Sequence, residues 1–297
     1  MSLKALLIPS LNGAPRRKVL ETLPAGTAIP RIIHQTFYDR VLPERLQQNV
    51  DRLRVMNPDW EYRFYDDADI AAFIKENYPP AVWAYFQRID PVYGAARADI
   101  FRYLLLYKFG GVYLDIKSSA LEPFNATLQP NDQFILSKWH RADGDYEDFG
   151  KLYDLRHLEG GEYQQWHIIC APGHPFLKEV LETIFSNIDI YDPYLHETGK
   201  RGVLRVTGPI PFTLAISRIQ ANHPHRVVDG RKQLGLEYNV YGDQAHVGVF
   251  KSHYSLQTVS IVRLTQAKKL LSQAYRLLQY GFSTLQRVRM KPDARTK

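Results

Sequence analysis

Four charged side chains near the middle of the chain have types and spacing that suit the binding of a polar ligand. Asp99 and Arg102 lie three residues apart, and Asp115 and Lys117 follow two residues apart. Residues three apart on a helix share one face, so Asp99 and Arg102 should be neighbours. A carboxylate at the carboxyl end of a strand in an open α/β sheet lies where ligands usually bind.

One helix and one strand must position these four side chains. The sequence from Tyr93 to Phe109 predicts a helix that ends at Gly110 and Gly111, since glycine adopts a left-handed conformation at little cost. Val112–Ile116 predicts a short buried strand that leads into polar residues. One side of the helix has apolar residues at helical spacing, namely Ala96, Ile100, Tyr103, Leu104 and Tyr107.

The same stretch resembles glycosyltransferase family 32, the sugar transferases that include the yeast initiating α-1,6-mannosyltransferase and bacterial relatives. The family pattern is an R-x-D-x-x-R helix, a Gly-Gly turn and a strand that ends in Asp-x-Asp. This chain has RADIFR, GG and VYLDIK in that order, with Lys117 at the second Asp position. The resemblance spans residues 29–254. It implies a retaining, hexosyltransferase-type enzyme that uses a nucleotide-diphosphate sugar.

The resemblance also implies roles for three of the charged residues. Asp99 would bind sugar or ribose hydroxyls, and Arg102 would bind phosphate or sugar oxygens. Asp115 matches the first Asp of the motif, which in relatives bonds hydroxyls of the donor and supports a metal ion. Without the surrounding motif, Asp99 and Arg102 would be interpreted as a helix-surface salt bridge of little energetic value.

Lys117 replaces the residue that would ligate Mn²⁺ or Mg²⁺ directly, and an ammonium cannot ligate a cation. It could contact the diphosphate in place of the metal, which we favour as a metal-independent mechanism. Alternatively it points away and leaves the metal to Asp115 with His253 or Ser255. A third possibility is a surface lysine without a role.

Three other segments match the family. The strand IPRIIHQTF delivers His34, Gln35 and Thr36 beside the donor nucleotide, or His34 and Thr36 only bond to loop backbone. Thr207 and Gly208 belong to a T-G-P element that approaches the donor or simply starts a helix. A histidine that closes the site in relatives corresponds to His253, which is a candidate contact for the donor phosphate or for a metal ion. Without a firmly established nucleophile in the family, no nucleophile or general base is assigned.

The expected fold is a GT-A-like α/β domain with a mixed, mainly parallel central sheet and a basic C-terminal helical tail. We place an N-terminal lead-in at residues 1–28, the glycosyltransferase domain at 29–258 and the tail at 259–297. The 297 residues have 38 Lys and Arg and 31 Asp and Glu, a net charge of +7. Since the segment from Arg263 onward has a net charge of +8, the remainder is nearly neutral, which argues against a nucleic-acid partner.

The composition of the tail predicts a location at a membrane surface. Basic residues interleave with apolar ones there, as in helices that lie on anionic bilayers, although a solvated helix packed on the domain is the alternative. Cys170 is the single cysteine, which favours a reducing compartment, and no stretch is apolar enough for a transmembrane helix or a convincing signal peptide. We therefore expect a cytoplasmic protein, peripheral on the inner face of the cytoplasmic membrane.

The expected partners are a UDP- or GDP-sugar and a glycan or lipid-linked acceptor in bacterial capsule or surface-polysaccharide synthesis. Two alternatives remain open from the sequence. One is a non-catalytic module that binds a nucleotide sugar or a glycan. The other is a toxin-like transferase that modifies a protein.

Overall fold

The computed structural model describes residues 10–13, 16–139, 146, 149–242 and 256–276. Six strands form one central sheet in the order β2-β1-β3-β6-β5-β7, and two short strands pair separately as β4-β8. The strands are β1 Ile32–Thr36, β2 Glu61–Tyr65, β3 Gly111–Leu114, β4 Ser119–Ala120, β5 Phe134–Ser137, β6 His167–Cys170, β7 Arg226–Val228 and β8 Leu236–Glu237.

The central sheet is mixed because one of its strands runs against the others. Strand β1 pairs in parallel with β2 and β3, and β5 pairs in parallel with β7. Strand β6 lies between β3 and β5 and is antiparallel to both. All strands of the central sheet except β6 therefore run in the same direction. This arrangement confirms the predicted α/β fold with a mixed, mainly parallel sheet.

The helices of the described segments pack around this sheet, and helix α4, Gly94–Phe109, lies within the largest apolar core. Its residues from Asp99 to Tyr107 are all buried, whereas the sequence predicts a continuous apolar face on one side only. The helix is covered by the sheet and by neighbouring helices. The helices are α1 Glu44–Met56, α2 Asp67–Asn77, α3 Pro80–Arg88, α4 Gly94–Phe109, α5 Phe124–Thr127, α6 Pro175–Ile190, α7 Pro193–His196, α8 Gly199–Val206, α9 Pro209–Ile219 and α10 Gly230–Leu234.

The Gly-Gly turn joins α4 directly to β3, as predicted. Gly110 has a φ of 64° and Gly111 a φ of 103°, both in the region that favours glycine. Packing adds a second requirement, since a Cβ on Gly110 would lie 2.6 Å from the backbone nitrogen of Pro172. A Cβ on Gly111 would lie 2.6 Å from the carbonyl oxygen of Ile32. This tight turn brings the end of β3 back beside α4.

The N-terminal lead-in and the beginning of the tail converge on Asp189 at the end of α6. The Asp189 carboxylate pairs with Arg17 at 2.6 Å and with Arg88 at 2.5 Å. The Lys268 ammonium donates to the Asp189 carbonyl. These contacts hold both segments against the body of the protein, while the domain boundaries remain predictions.

Residues 266–276 of the tail are helical, and the rest of the tail lies outside the described residues. Leu270 and Leu271 on this helix are 69% and 53% exposed. Among the residues that the structure describes, no helix has the length and apolar composition needed to cross a bilayer.

Candidate functional site

A buried guanidinium lies at the centre of the charged cluster where α4 passes the end of β3. Arg102 Nη1 donates to the Gln165 carbonyl at 2.7 Å and lies 3.0 Å from Asp115 Oδ1. Its Nη2 lies 3.3 Å from Asp99 Oδ1, and its Nε donates to the Ala98 carbonyl at 3.3 Å. All three guanidinium nitrogens therefore have an acceptor inside the protein, and Arg102 links the two carboxylates.

The electrostatics of the cluster set different charge states for its members. Burial opposes the charge on Arg102, but the carboxylates of Asp115 and Asp99 outweigh it and raise the pKa of this guanidinium overall. Burial raises the pKa of Asp99 to about 6, against the opposing effects of Arg102 and Thr207. Arg102 is thus permanently charged, whereas Asp99 titrates slightly below neutral pH.

Asp115 is the member of the cluster that reaches open space. Its side chain is 26% exposed, compared with 6% for Arg102 and 5% for Asp99. Its backbone is fixed on both sides, because its N–H donates to the Trp166 carbonyl at 2.8 Å and its carbonyl accepts from Gln35 Nε2 at 3.3 Å. Asp99 and Arg102 lie behind Asp115. Arg102 contacts the Asp115 carboxylate, and a donor contact by Asp99 or Arg102 remains a prediction.

Lys117 is buried beside the same cluster, with 7% exposure. Its ammonium lies 2.9 Å from Tyr238 Oη and 4.1 Å from the centroid of that ring. Burial lowers the pKa of Lys117, and the nearby Asp115 carboxylate opposes this shift. Lys117 is therefore not a surface lysine, because its ammonium is enclosed next to the one partly exposed carboxylate of the cluster. Its role at the donor remains a prediction.

The first strand supports the site from behind. His34 is fully buried, with Nδ1 3.2 Å from Tyr65 Oη and Nε2 3.0 Å from the Gly110 carbonyl, and burial lowers its pKa to about 4. Gln35 is also fully buried and spans Tyr62 and Asp115. Both side chains have internal partners, and a donor contact by His34 or Gln35 remains a prediction.

Thr36 lies at the end of β1, where the parallel strand β3 also ends. Its Oγ1 donates to the Tyr65 carbonyl at 2.8 Å, and the residue is only half-buried. This bond to backbone is the alternative that the sequence left open. A donor contact by Thr36 remains a prediction.

The T-G-P element meets the cluster from the opposite side. Thr207 is fully buried, and its Oγ1 donates to Asp99 Oδ2 at 2.8 Å. Gly208 precedes α9, and a Cβ there would lie 3.0 Å from the Cα of Leu204. Gly208 therefore lies close to the preceding helix, and Thr207 supports Asp99. A donor contact by either residue remains a prediction.

The binding of a divalent cation at this site remains a prediction. His253 and Ser255, the predicted C-terminal ligands, lie outside the described residues. Within the described ranges, no group of three or more His, Cys, Asp or Glu side chains could hold a metal ion. Asp115 is the only partly exposed carboxylate of the described cluster, and a guanidinium and an ammonium flank it. The positive charges of the Arg102 guanidinium and the Lys117 ammonium oppose the binding of a divalent cation at Asp115.

Several side chains that complete the site were not singled out from the sequence. Tyr113 places its ring 4.8 Å from the Arg102 guanidinium and its hydroxyl 3.4 Å from Asp115 Oδ1. Tyr103 bonds to the Gln165 side chain and to the Thr207 carbonyl. Alternation along β3 could have placed Tyr113 near Asp115. In contrast, Tyr238 is 121 residues from Lys117 and has no signal in the sequence.

The sequence of this chain is similar to sequences of known glycosyltransferases. Residues 43–135 match the family described as "Glycosyltransferase sugar-binding region containing DXD motif", a segment that contains Asp99, Arg102, Asp115 and Lys117. Inositol phosphoceramide mannosyltransferase 3 of Schizosaccharomyces pombe is 38% identical over 187 residues, which cover 62% of this chain and 44% of that protein. The initiation-specific alpha-1,6-mannosyltransferase of Candida albicans is 31% identical over 52% of this chain and 42% of that protein.

Among solved structures, the UDP-bound glycosyltransferase domain from the YGT toxin aligns with a TM-score of 0.49 and 9% identity over 84% of this chain and 90% of that one. The chain spans somewhat less than half the length of the two fungal relatives. The matched segment contains the helix, the Gly-Gly turn and the strand that build the charged cluster. Residues 43–135 are therefore similar to the DXD-containing sugar-binding region of glycosyltransferases, and the chain resembles family 32.

Proposed function

We propose that this protein transfers a hexose from a nucleotide-diphosphate sugar to a glycan or lipid-linked acceptor. The observation that carries the proposal is the presentation of Asp115. A buried guanidinium fixes its carboxylate at the carboxyl end of β3, with the Lys117 ammonium beside it. A carboxylate suits the hydroxyls of a ribose or sugar, and an ammonium suits the oxygens of a diphosphate.

The names of the two fungal relatives support mannose as the transferred sugar. One is named for transfer to inositol phosphoceramide and the other for an initiating α-1,6-linkage. Both names contain the word mannosyltransferase, and only the first names an acceptor. We therefore propose a mannosyl donor, with either a lipid or a glycan as acceptor. UDP- and GDP-linked donors are both to be tested.

The proposed chemistry assigns one task to each charged side chain. Asp115 accepts hydrogen bonds from hydroxyls of the donor. Lys117 stabilises the negative charge that develops on the leaving diphosphate, a task that such enzymes otherwise give to a metal ion. Arg102 and Asp99 keep Asp115 oriented and are positioning residues. Transfer proceeds with retention of anomeric configuration, as the family resemblance implies, and no nucleophile is assigned.

Metal independence follows from the same assignment. In metal-dependent relatives Mn²⁺ or Mg²⁺ neutralises the diphosphate, and Lys117 brings a fixed positive charge to the matching position. We propose that this charge replaces the cation. Asp115 together with His253 is the alternative ligand pair, and dependence of turnover on Mn²⁺ would support it.

We further propose that the protein works in the cytoplasm, peripheral on the inner face of the cytoplasmic membrane. The basic tail and the exposed Leu270 and Leu271 support an anionic bilayer as partner. A role in bacterial capsule or surface-polysaccharide synthesis remains a prediction, and the two relatives named above are fungal. Cosedimentation with vesicles of anionic and of neutral lipids tests the membrane contact. Loss of binding to anionic vesicles in a Leu270→Ser, Leu271→Ser variant is expected.

The decisive experiment is release of nucleotide from a panel of UDP-, GDP- and dTDP-sugars, each with Mn²⁺ and with EDTA. We expect one donor, a mannosyl donor, to turn over equally in both conditions. Turnover only with Mn²⁺ would overturn the role of Lys117 and leave the transferase assignment intact. Tight binding of a donor without release, even with cell extract as a source of acceptor, would replace the enzyme with a non-catalytic sugar-nucleotide module.

Identification of the acceptor tests the remaining alternative. Labelled sugar recovered on a protein side chain would favour a toxin-like transferase. Labelled sugar recovered in glycan or lipid extracts is the expected result.

A further inference from the structure

Tyr238 makes two different contacts with the Lys117 ammonium. Its hydroxyl oxygen lies 2.9 Å from Nζ, and its ring centroid lies 4.1 Å from the same atom. The hydroxyl accepts a hydrogen bond, while the negative face of the ring attracts the positive charge. Both interactions replace part of the hydration that Lys117 loses on burial. One neutral side chain thus supports the enclosed cation.

The backbone around Tyr238 is fastened to the backbone around Lys117. The Val240 N–H donates to the Lys117 carbonyl at 2.9 Å, and Ser118 Oγ donates to the Tyr238 carbonyl at 2.7 Å. Just beyond, β4 and β8 pair antiparallel through Ser119 and Glu237. These bonds fix the distance between the two segments. The position of the Tyr238 ring relative to the ammonium is therefore part of the folded structure.

Other aromatic rings hold Tyr238 from the side that faces the core. Trp139 meets it at 5.1 Å between centroids and an interplanar angle of 86°. Trp166, whose carbonyl accepts the Asp115 N–H, meets it at 5.5 Å and 63°. These edge-on contacts favour one orientation of the Tyr238 ring. The same group of rings thus orients the support of Lys117 and the backbone of Asp115.

The chemical type of this support matters because Tyr238 is neutral. A carboxylate in its place would form an ion pair and cancel the charge of Lys117. A phenol ring and its hydroxyl hold the ammonium without neutralising it, and an ammonium has three N–H donors. Among the described residues, Tyr238 Oη is the one acceptor within hydrogen-bonding distance of Nζ. The charge therefore remains effective toward a phosphate oxygen.

We propose that Tyr238 is the positioning residue of the diphosphate subsite, which holds the Lys117 ammonium beside Asp115 so that it meets the pyrophosphate oxygens of the donor. This inference rests on the proposed function, because it presupposes that Lys117 replaces a metal ion. It adds a residue that the glycosyltransferase motif does not contain. It also assigns to the β8 segment a direct effect on the rate of sugar transfer.

A double-mutant cycle tests the proposal with the donor that the wild-type enzyme turns over in EDTA. Tyr238→Phe should lower kcat about tenfold through loss of the hydrogen bond to a charged group, with little change in the KM for the donor. Tyr238→Leu, which also removes the ring, should lower kcat further. In a Lys117→Met background, Tyr238→Phe should have no further effect, since there is no ammonium to position.

Tyr241→Phe is the matched control, because Tyr241 lies in the same segment with the Arg45 guanidinium 5.1 Å from its ring. Its activity should equal that of the wild type. Affinity for GDP and UDP by calorimetry and thermal unfolding should be measured for every variant. These measurements separate a misplaced ammonium from an unfolded protein.

The outcomes distinguish the metal-replacing role of Lys117 from the positioning role of Tyr238. If Lys117→Met retains full activity, the metal-replacing role of Lys117 fails and this inference fails with it. If Lys117→Met is impaired but Tyr238→Phe and Tyr238→Leu are not, the proposed function stands and the role of Tyr238 is overturned. An equal loss from Tyr238→Phe in both backgrounds would also overturn it, since that pattern indicates a structural role independent of Lys117.

Discussion

Asp115 is flanked by two cations that the protein holds in different ways. The Arg102 guanidinium has acceptors for all three nitrogens, including two carboxylates. The Lys117 ammonium rests on Tyr238, a neutral ring with a hydroxyl. One cation is balanced by full negative charges, and the other is supported without being neutralised. We therefore expect Arg102 to matter mainly for the structure and Lys117 mainly for catalysis.

The pKa shifts of Arg102 and Lys117 also differ, since they have opposite directions. Carboxylates raise the pKa of Arg102 despite its burial, whereas burial lowers the pKa of Lys117 despite the nearby Asp115. A buried cation with strong partners stabilises the fold through those partners, and its loss leaves them uncompensated. A buried cation with weak partners reduces stability and is retained for another reason. Positioning a charge for a ligand is such a reason.

The largest expected effect is a difference in the free energy of unfolding between variants of Arg102 and of Lys117. Arg102→Met should reduce the free energy of unfolding by about 3 kcal/mol or more, because Asp99 and Asp115 lose their shared partner. Lys117→Met, the matched substitution, should change it by less than about 1 kcal/mol, since a buried charge is replaced by an apolar chain of similar length. Urea unfolding at neutral pH measures both.

The double variant Asp99→Asn, Arg102→Met should be more stable than Arg102→Met alone, because one uncompensated carboxylate is removed. Equal losses for Arg102→Met and Lys117→Met would contradict the distinction between a structural and a catalytic cation.

A smaller effect on stability is expected when the Thr207 hydroxyl, which donates to Asp99, is removed. Thr207→Val removes the hydrogen bond to Asp99 Oδ2 and should cost about 2 kcal/mol of unfolding free energy, the usual range for a bond to a charged group. Thr183→Val is the control, because the buried Thr183 hydroxyl has no partner among the described residues. The control should be neutral or slightly stabilising. A similar cost for both variants would show that Thr207 contributes only through packing.

The pH dependence of activity tests whether Asp99 must be charged. Its pKa of about 6 means that the carboxyl is mostly protonated below that pH and no longer balances Arg102. We expect kcat/KM to fall as the pH decreases through about 6. An Asp99→Asn variant should have lower activity without this inflection.

Ionisation of Asp99 should affect the free energy of unfolding in the opposite direction to its effect on activity. The pKa is raised above its ordinary value of 3.8, so ionisation of Asp99 reduces the stability of the folded state as the pH rises from about 4 to about 6. The stability difference between the wild type and Asp99→Asn should change in favour of the variant over this interval. An unchanged difference would contradict the raised pKa.

The smallest effect is expected from Tyr113. Its hydroxyl lies 3.4 Å from Asp115 Oδ1, which is long for a hydrogen bond, and Tyr113→Phe keeps the ring beside Arg102. The change should cost less than about 0.5 kcal/mol of stability and about twofold in kcat/KM. A tenfold loss of activity would show that Tyr113 and not Arg102 determines the position of Asp115.

The sequence predicts the order of elements well where the determinants are local. The helix that carries Asp99 and Arg102, the Gly-Gly turn and the strand before Asp115 follow from periodicity and from the conformational preference of glycine. Their junction is confirmed because a two-residue turn leaves the chain few alternatives. The contact between Asp99 and Arg102 likewise follows from the helical spacing of three residues.

The sequence did not specify the internal contacts of the residues around the site. His34 and Gln35 lie at a strand end that approaches the site, and both are fully buried and bonded internally. Gly208 lies close to the backbone of Leu204. A motif specifies where a residue lies along the chain, but its orientation depends on which neighbouring layers cover it.

By itself, the sequence determined the charged residues of the site, their family and the strand that delivers Asp115, because these depend on contacts between residues close in the chain. Only the tertiary structure decided that all guanidinium nitrogens of Arg102 have acceptors inside the protein and that the Lys117 ammonium contacts Tyr238. Both facts depend on contacts between distant segments, such as Arg102 with Gln165 and Lys117 with Tyr238. No periodicity records such contacts, since they form only when the sheet and helices pack.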